Sequence, residues 1–328
     1  MRVMTLDTPT LEKLIAAAVT APSLHNTQPW RFRFVPTTRT VLIRVATDRG
    51  LRHADPSGRA VHLSVGCAVL NLRVAVAHFG WEPVTRLLPR PGQPDLLASV
   101  RLADTARTTS PAGLYEALWR RRSSRFPFSD RPLPSDLLWQ LAEAAHVEGA
   151  WLDVLDSRKA DHVLHTTWAA EGRNRTDTDR ATESRYWTSG PHPDSLGLPP
   201  VVLGPQDALD RIPMRDFGVH RSPAALPARP YERQPALVVL RTAHDRRTDW
   251  LRSGQALERV LLVATAHGVR SSLMHQALEW DDLRARLDRR LDDARRGHTQ
   301  MVIRLGYGPE GSASPRRDVN EAMDGIVG

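Results

Sequence analysis

Cysteine and lysine are nearly absent from this 328-residue chain. A single cysteine, Cys67, excludes a disulfide framework and a cysteine-built metal site. The expected compartment is therefore a reducing cytoplasm. Of 45 basic residues only Lys13 and Lys159 are lysines, and with 37 acidic residues the net charge is +8. The arginines are scattered and often sit beside aspartate, whereas a nucleic-acid binder clusters its cations on one element, so no nucleic-acid partner is expected. No run approaches 18 uninterrupted apolar residues, so no membrane span is expected. The N-terminal MRVMTLDTPTLEKL has no apolar stretch of the kind a secretory signal needs. P-loop, G-x-S-x-G and H-E-x-x-H patterns are all missing. What remains is an ordinary globular composition, 41% hydrophobic and 25% charged. The length suits two domains or one double-layered unit.

The chain repeats itself faintly. Residues 59–80, RAVHLSVGCAVLNLRVAVAHFG, align with residues 247–268, RTDWLRSGQALERVLLVATAHG. Arg59 matches Arg247, Gly66 matches Gly254, Ala68 matches Ala256 and Gly80 matches Gly268. Apolar residues at three- and four-residue spacing followed by a glycine stop predict a buried amphipathic helix in each copy, with Cys67 on the buried face of the first. VLIRV (41–45) and ALVVL (236–240) precede the helices, and ASVRLA (98–103) and QMVIRLG (300–306) follow them, all strand-like. Two strand–helix–strand units in one chain predict a fused pseudo-dimer, residues 1–108 and 112–328. Residues 168–232 form an insertion in the second half, rich in Pro, Gly, Arg and Asp with little periodicity. Its aromatics (Trp168, Tyr186, Trp187, Phe217, Tyr231) favour a lid or clamp over a disordered loop. The run 281–296 alternates charge along a helix and reads as a solvent face.

Two strings stand out. APSLHNTQPWRFRF (21–34) is a polar turn between a short helix and a strand, in which Pro22, Ser23, Leu24, His25 and Asn26 offer small polar groups and Gln28, Pro29 and Trp30 lead into the strand. WRRRSSRFPF (119–128) puts three arginines and two serines on one turn. Alone, the second string is a solvated basic helix end; its guanidiniums and hydroxyls equally suit a phosphate. Together the strings resemble the PSxxNxQPW and Arg-Arg-Ser-x-Arg-x-Phe signatures of the nitroreductase family of FMN flavoenzymes. Arg121, Ser123 and Arg125 match the second signature, with Pro127 intruding before Phe128. In that family each flavin site takes one motif from each of two subunits. Here the first half carries only the PSxxN string and the second only the arginine string. Where the second half should repeat APSLHNTQPW, residues 142–154 read AEAAHVEGAWLDV. The pattern, with IPMRDF (212–217) and the closing LGYG…SPRR, resembles the fused, Acg-like branch over nearly the whole chain.

The resemblance implies an α+β nitroreductase-like fold, internally duplicated as a single-chain pseudo-dimer, with one complete flavin site and one vestigial one. FMN would be held by Pro22, Ser23, Leu24, His25, Asn26 and Gln28 from the first half. The second half would add Arg121, Arg122, Ser123, Arg125 and the basic pair Arg316 and Arg317, for which a plain surface pair is the alternative. In SSLMHQ (271–276), Met274, His275 and Gln276 are placed to present backbone N–H groups to flavin N5, although an exposed loop histidine is the alternative for His275. The implied activity is that of an oxidoreductase. NAD(P)H is the possible co-substrate, giving hydride through N5 to a small-molecule acceptor such as a nitroaromatic or quinone. Two alternatives stay open: a flavin-holding protein whose lid, through Trp187, Tyr186 or Phe217, bars the nicotinamide, and a specialised flavin oxidase or dehydrogenase of small-molecule biosynthesis. A fused pseudo-dimer completes its own site, so a monomer is expected and a homodimer stays open.

Two remaining patterns are read as structural. GYGPEG (306–311) spells G-x-G-x-x-G after a strand, but Pro309 and Pro315 forbid the helix that a dinucleotide fold requires next. His162 and His165 lie on a helix-like run near Asp156 and Asp161 without a third ligand in reach and read as a surface pair.

Overall fold

A computed structural model describes residues 6–104, 113–189, 192–217, 228–291 and 297–326. The N-terminal part forms α1 (Thr8–Val19), β1 (Trp30–Val35), β2 (Thr40–Val45), α2 (Arg59–His78), β3 (Glu82–Leu87) and β4 (Leu96–Ala103). There follow α3 (Leu114–Arg120), α4 (Ser135–His146), β5 (Trp151–Val154), α5 (Ser157–Thr176) and α6 (Thr178–Ser189). The chain ends with β6 (Ala236–Thr242), α7 (Arg247–Ala266), β7 (Arg270–Met274), α8 (Asp281–Leu291), β8 (His298–Gly306), α9 (Val319–Ala322) and β9 (Met323–Ile326).

The duplication is built into the topology. One sheet has the order β3-β4-β2-β1-β9 and the other, taken in the matching sense, β7-β8-β6-β5. Strands β1 to β4 thus correspond to β5, β6, β7 and β8, and every pairing between them is antiparallel in both sheets. Even the irregularity recurs: the ladder slips between Ile43 and Arg44 in one sheet and between Leu240 and Arg241 in the other. Helices α2 and α7 are both 20 residues long and start at the aligned Arg59 and Arg247. Each is closed by a glycine in the left-handed region, Gly80 at φ +92° and Gly268 at φ +71°, the conformation a helix stop favours.

These two helices cross at the aligned glycines. A Cβ on Gly66 would lie 2.3 Å from the Leu251 carbonyl oxygen, and one on Gly254 would lie 2.1 Å from that of Leu63. The contact is reciprocal, each glycine touching the residue three positions before the other, as a two-fold interface requires. Around it α2 and α7 bury Leu70, Leu72, Leu257 and Leu261 against Trp30 and Phe32 of β1 and Leu240 of β6. Among the described residues α2 alone is long and apolar enough to cross a membrane, yet 83% of its most apolar window is buried in this core.

Three expectations change. The insertion expected over 168–232 is helical through Ser189, because α5 and α6 hide their amphipathicity behind a polar buried face: Thr166, Thr167, Glu171, Arg180 and Ser184 are all buried. Residues 192–217 continue without a longer element than a short turn at Pro200–Val202, and residues 190–191 and 218–227 lie outside the described residues. The charged run at 281–296 is helical to Leu291 but is no plain solvent face. Its Leu283, Leu287 and Leu291 are buried, and Arg284 donates to both carboxylate oxygens of Asp245 at 2.7 Å; residues 292–296 lie outside the described residues. Finally, the C-terminus crosses the molecule: β9 pairs in parallel with β1 and so extends the sheet of the first half. The expected boundary between 108 and 112 also lies outside the described residues.

Candidate functional site

The turn after α1 and the turn after α3 open onto one cleft, which encloses about 1440 Å³ of empty space counting its mouth. Pro22, Ser23, Leu24, His25 and Asn26 form one wall, and Arg121, Arg122, Ser123 and Arg125 another. The end of β7 brings His275 and Gln276, and the C-terminal segment brings Arg316. The first turns of α2 supply the floor at Ala60, Leu63, Ser64 and Cys67. Burial pushes the Cys67 thiol up, and its Sγ lies 3.2 Å from the Gly254 carbonyl, so it is a core residue whose reactivity is suppressed.

One end of the cleft is cationic. Arg121 and Arg316 each donate an Nη2 to the same carbonyl, that of Thr20, at 3.1 Å. Arg122 joins them, its Nη1 on the Arg121 carbonyl at 2.9 Å. Glu258 of α7 opposes this cluster, its Oε1 3.4 Å from Arg121 Nε, while Glu310 acts on Arg122. Burial pushes the Glu258 carboxyl up to about 7 although Arg121 and Arg316 pull it down. Burial, then the neighbouring Arg121 and Arg122, push Arg316 down to about 9. Nε and Nη1 of Arg121 and Nε of Arg316 are buried without a hydrogen-bond partner among the described residues. Crowded cations with unused N–H groups are the donor set for a phosphate.

The opposite wall is a strained turn. His25 (φ +51°), Asn26 (φ +55°) and Gln28 (φ +47°) all occupy the left-handed region, a conformation costly for side-chain-bearing residues and held only when its surroundings enforce it. The surroundings do so. Ser23 Oγ accepts from Gln28 N at 3.0 Å. Asn26 Nδ2 donates to the carbonyls of Gly197 (2.9 Å) and Pro315 (3.0 Å), and its Oδ1 accepts from Arg316 (2.8 Å). Gln28 and Arg317, expected at the flavin, stand outside the cleft lining. Gln28 Nε2 donates to Ser195 O at 2.7 Å and its Oε1 accepts from Arg317 N at 3.0 Å, while the Arg317 guanidinium donates to Trp30 O at 2.7 Å. Their visible work is to staple the C-terminal segment onto β1.

His25 and its neighbour Asn26 face different ends. Asn26 meets Arg316, whereas the His25 ring packs edge-on against Phe217, with centroids 5.6 Å apart. The guanidiniums of Arg125 and Arg215 lie 5.1 and 5.5 Å from the Phe217 centroid. Burial and then the charge of Arg215 hold the His25 imidazole well below its usual pKa, so it is neutral. Of the three lid aromatics, Phe217 lines the cleft. Trp187 packs instead in a separate cluster with Leu51, Ala54 and Leu196, and Tyr186 is exposed.

His275 is buried, not an exposed loop residue. Its Nε2 lies 2.8 Å from Arg59 Nη2 and its Nδ1 3.1 Å from Glu279 Oε1. Burial pushes it down to about 4, so the ring is neutral. An arginine can only donate, which fixes Nε2 as the acceptor and puts the proton on Nδ1, toward Glu279. Glu279 also binds Arg215 and, at 3.4 Å, Arg180; burial would raise its carboxyl, but Arg215 and His275 hold it well below the ordinary range. The side chain of His275 is thus consumed by a buried network under the cleft. Sequence reading missed this network, because its members come from α2, α6, the 192–217 segment and the turn after β7. It also missed Glu258, although a lone acid in the apolar run QALERVLL was a visible signal.

No protein-family model matches the chain. A Mycobacterium tuberculosis H37Rv protein named "Putative NAD(P)H nitroreductase Rv3131" is 31% identical over 335 residues, covering 97% of this chain and 92% of that protein. Another from the same organism, "Putative NAD(P)H nitroreductase acg", is 29% identical over 324 residues, covering 97% and 96%. Among solved structures, an FMN- and NADPH-dependent nitroreductase NfnB from a Sphigopyxis strain gives a TM-score of 0.41 at 19% identity, over 64% of this chain and 97% of that one. A Bacteroides fragilis nitroreductase with bound FMN gives 0.37 at 17% identity, over 62% and 92%, and both likenesses are too loose to argue from. On the full-length relatives, this chain belongs to the nitroreductase family.

Proposed function

We propose that the chain is an FMN-dependent NAD(P)H oxidoreductase, with FMN lying across this cleft and a small nitroaromatic or quinone as acceptor. One observation carries the reading: Arg121 and Arg316, with unused buried N–H groups, share the cleft with Arg122 and the PSLHN turn, and Glu258 opposes Arg121. Arg121, Arg316 and Ser123 would hold the phosphate, and Arg125 and the 274–276 backbone would face the ring. FMN, when bound, supplies the two-electron carrier between nicotinamide and acceptor. The chain supplies binding, orientation and shielding from water. The 192–217 segment roofs the site, tied to the opposite wall through Asn26–Gly197 and Gln28–Ser195. Both motifs come from one chain, so no partner is required, and residues 1–108 and 112–328 serve as the two former subunits.

The same roof favours a second reading, a flavin-holding protein that admits no nicotinamide. The absorption spectrum of the purified protein, followed by anaerobic addition of NADPH and NADH, tests both. Yellow protein bleached by either nucleotide supports the oxidoreductase. Yellow protein that neither bleaches supports the holding reading, and colourless protein that takes up no added FMN refutes both.

A further inference from the structure

A phosphate accounts for the cationic end of the cleft, which Asn26 faces, whereas His25, expected from the resemblance to hold FMN, faces away from Arg316 and toward Phe217. The His25 side chain is 3% exposed, lines the cleft, and has no hydrogen-bond partner for either ring nitrogen among the described residues. A buried imidazole normally fills both positions. This one stands unfilled on a backbone at φ +51°, flanked by the bonds of Ser23 and Asn26. A site that strains its chain to hold an unpaired polar group in a cleft is organised for a ligand.

The ligand's chemistry follows from the surroundings. The imidazole is neutral and offers one N–H and one acceptor nitrogen. Arg125 and Arg215 face the same Phe217 ring, and their charge opposes protonation of His25, so it donates a hydrogen bond without titrating. Among the described residues Glu279 and His275 are the other ionisable groups acting on it, and they are already bonded to each other. Phe217, which packs edge-on against His25 and also lines the cleft, makes this end aromatic, as a flat ring favours. We propose that His25 grips the exocyclic oxygen of the planar-ring substrate that enters this end of the cleft. That oxygen is either the quinone carbonyl of the acceptor or the carboxamide oxygen of the nicotinamide. This rests on the FMN reading and adds to it the contact that selects substrate.

The test uses full-length protein saturated with FMN. Dissociation constants are measured for FMN, for menadione in the absence of reductant, and for a non-reducing tetrahydro-NADPH, in wild type, His25→Ala and His25→Asn. The expected result is about a tenfold loss of menadione or tetrahydro-NADPH affinity in the alanine variant, the size of one buried hydrogen bond. The FMN constant moves less than about threefold, and the probe that weakens identifies the oxygen. His25→Asn keeps a donor and tolerates the left-handed backbone, so it should restore most of the loss and remains informative if the alanine variant does not fold. Unchanged affinity for both probes, a loss that asparagine does not restore, or an equal loss for FMN overturns the proposal. Wild-type protein that takes up no FMN refutes the proposed function itself, and this contact with it, before any variant is compared.

Discussion

Glu258 gives the structure a pH dependence that can be measured without knowing the substrate. Its carboxyl is fully buried beneath the cationic end, raised from 4.5 to about 7 by burial against the pull of Arg121. The folded chain therefore keeps a proton that the unfolded chain has already released above pH 4.5. Where the native state binds more protons, stability falls as pH rises. The loss begins near pH 4.5 and is complete once pH passes about 7. At about 1.4 kcal/mol per pH unit it reaches about 3 kcal/mol.

Glu258→Gln has no proton to lose. Flavin-free wild type and variant should be about equally stable near pH 4.5, and the variant should be the more stable by up to about 3 kcal/mol at pH 8. Urea denaturation at several pH values and constant ionic strength reads this directly, because every other titrating group is common to both proteins. Two parallel stability curves would refute the reasoning. The cleft adds a second readout. An anion held by Arg121 and Arg316 withdraws their attraction from Glu258, so FMN binding near pH 7 should take up protons in wild type and not in the variant, measured by calorimetry in buffers of different ionisation enthalpy.

Arg121→Ala combined with Ser23→Ala should give folded, colourless protein, since Glu258 can protonate once its partner is gone; full yellow colour would move the flavin elsewhere. Gly66→Ala places a Cβ 2.3 Å from a backbone oxygen that no rotamer can move, and should cost about 2–3 kcal/mol in thermal or urea unfolding, with Gly254→Ala similar and the pair non-additive. Arg317→Ala removes the bonds to Trp30 and Glu321 that hold β9 against β1. It should make the C-terminal segment sensitive to brief proteolysis and, by loosening Arg316 next to it, weaken FMN binding.

The helices that form the pseudo-two-fold contact were legible because their pattern is apolar and ends in glycine. Gly66 and Gly254 align in sequence and touch in space for one reason: only a residue without Cβ permits that crossing. The start of α5 around His162 and His165 was legible as a helix, but its continuation past residue 168 and α6 were not, since a face built from Thr166, Thr167, Glu171 and Arg180 has no hydrophobic period to read. The motif strings brought the right segments to one cleft, but a string does not separate residues that face a ligand from those that hold the turn. Gln28 sits in the same nine-residue signature as Ser23 and is spent on Ser195 and Arg317. The path of β9 was also invisible, because its four residues carry no mark of which sheet they join.

The two halves differ in how they spend charge at equivalent positions. Asn71 of α2 aligns with Arg259 of α7, and each reaches the segment just beyond the neighbouring helix: Asn71 donates to Thr20, after α1, and Arg259 to Glu148, after α4. On the first side Thr20 is neutral, and its carbonyl gathers Arg121 and Arg316, whose charge Glu258 only partly offsets. On the second side Glu148 itself occupies the position. Its two oxygens take Arg73 at 2.6 Å and Arg259 at 2.7 Å, so both cations already have a counter-charge from the chain. A buried ion pair of that geometry leaves little attraction for an outside anion. Glu148 is thus a permanent internal counter-ion on the second side, where the first side has the neutral Thr20.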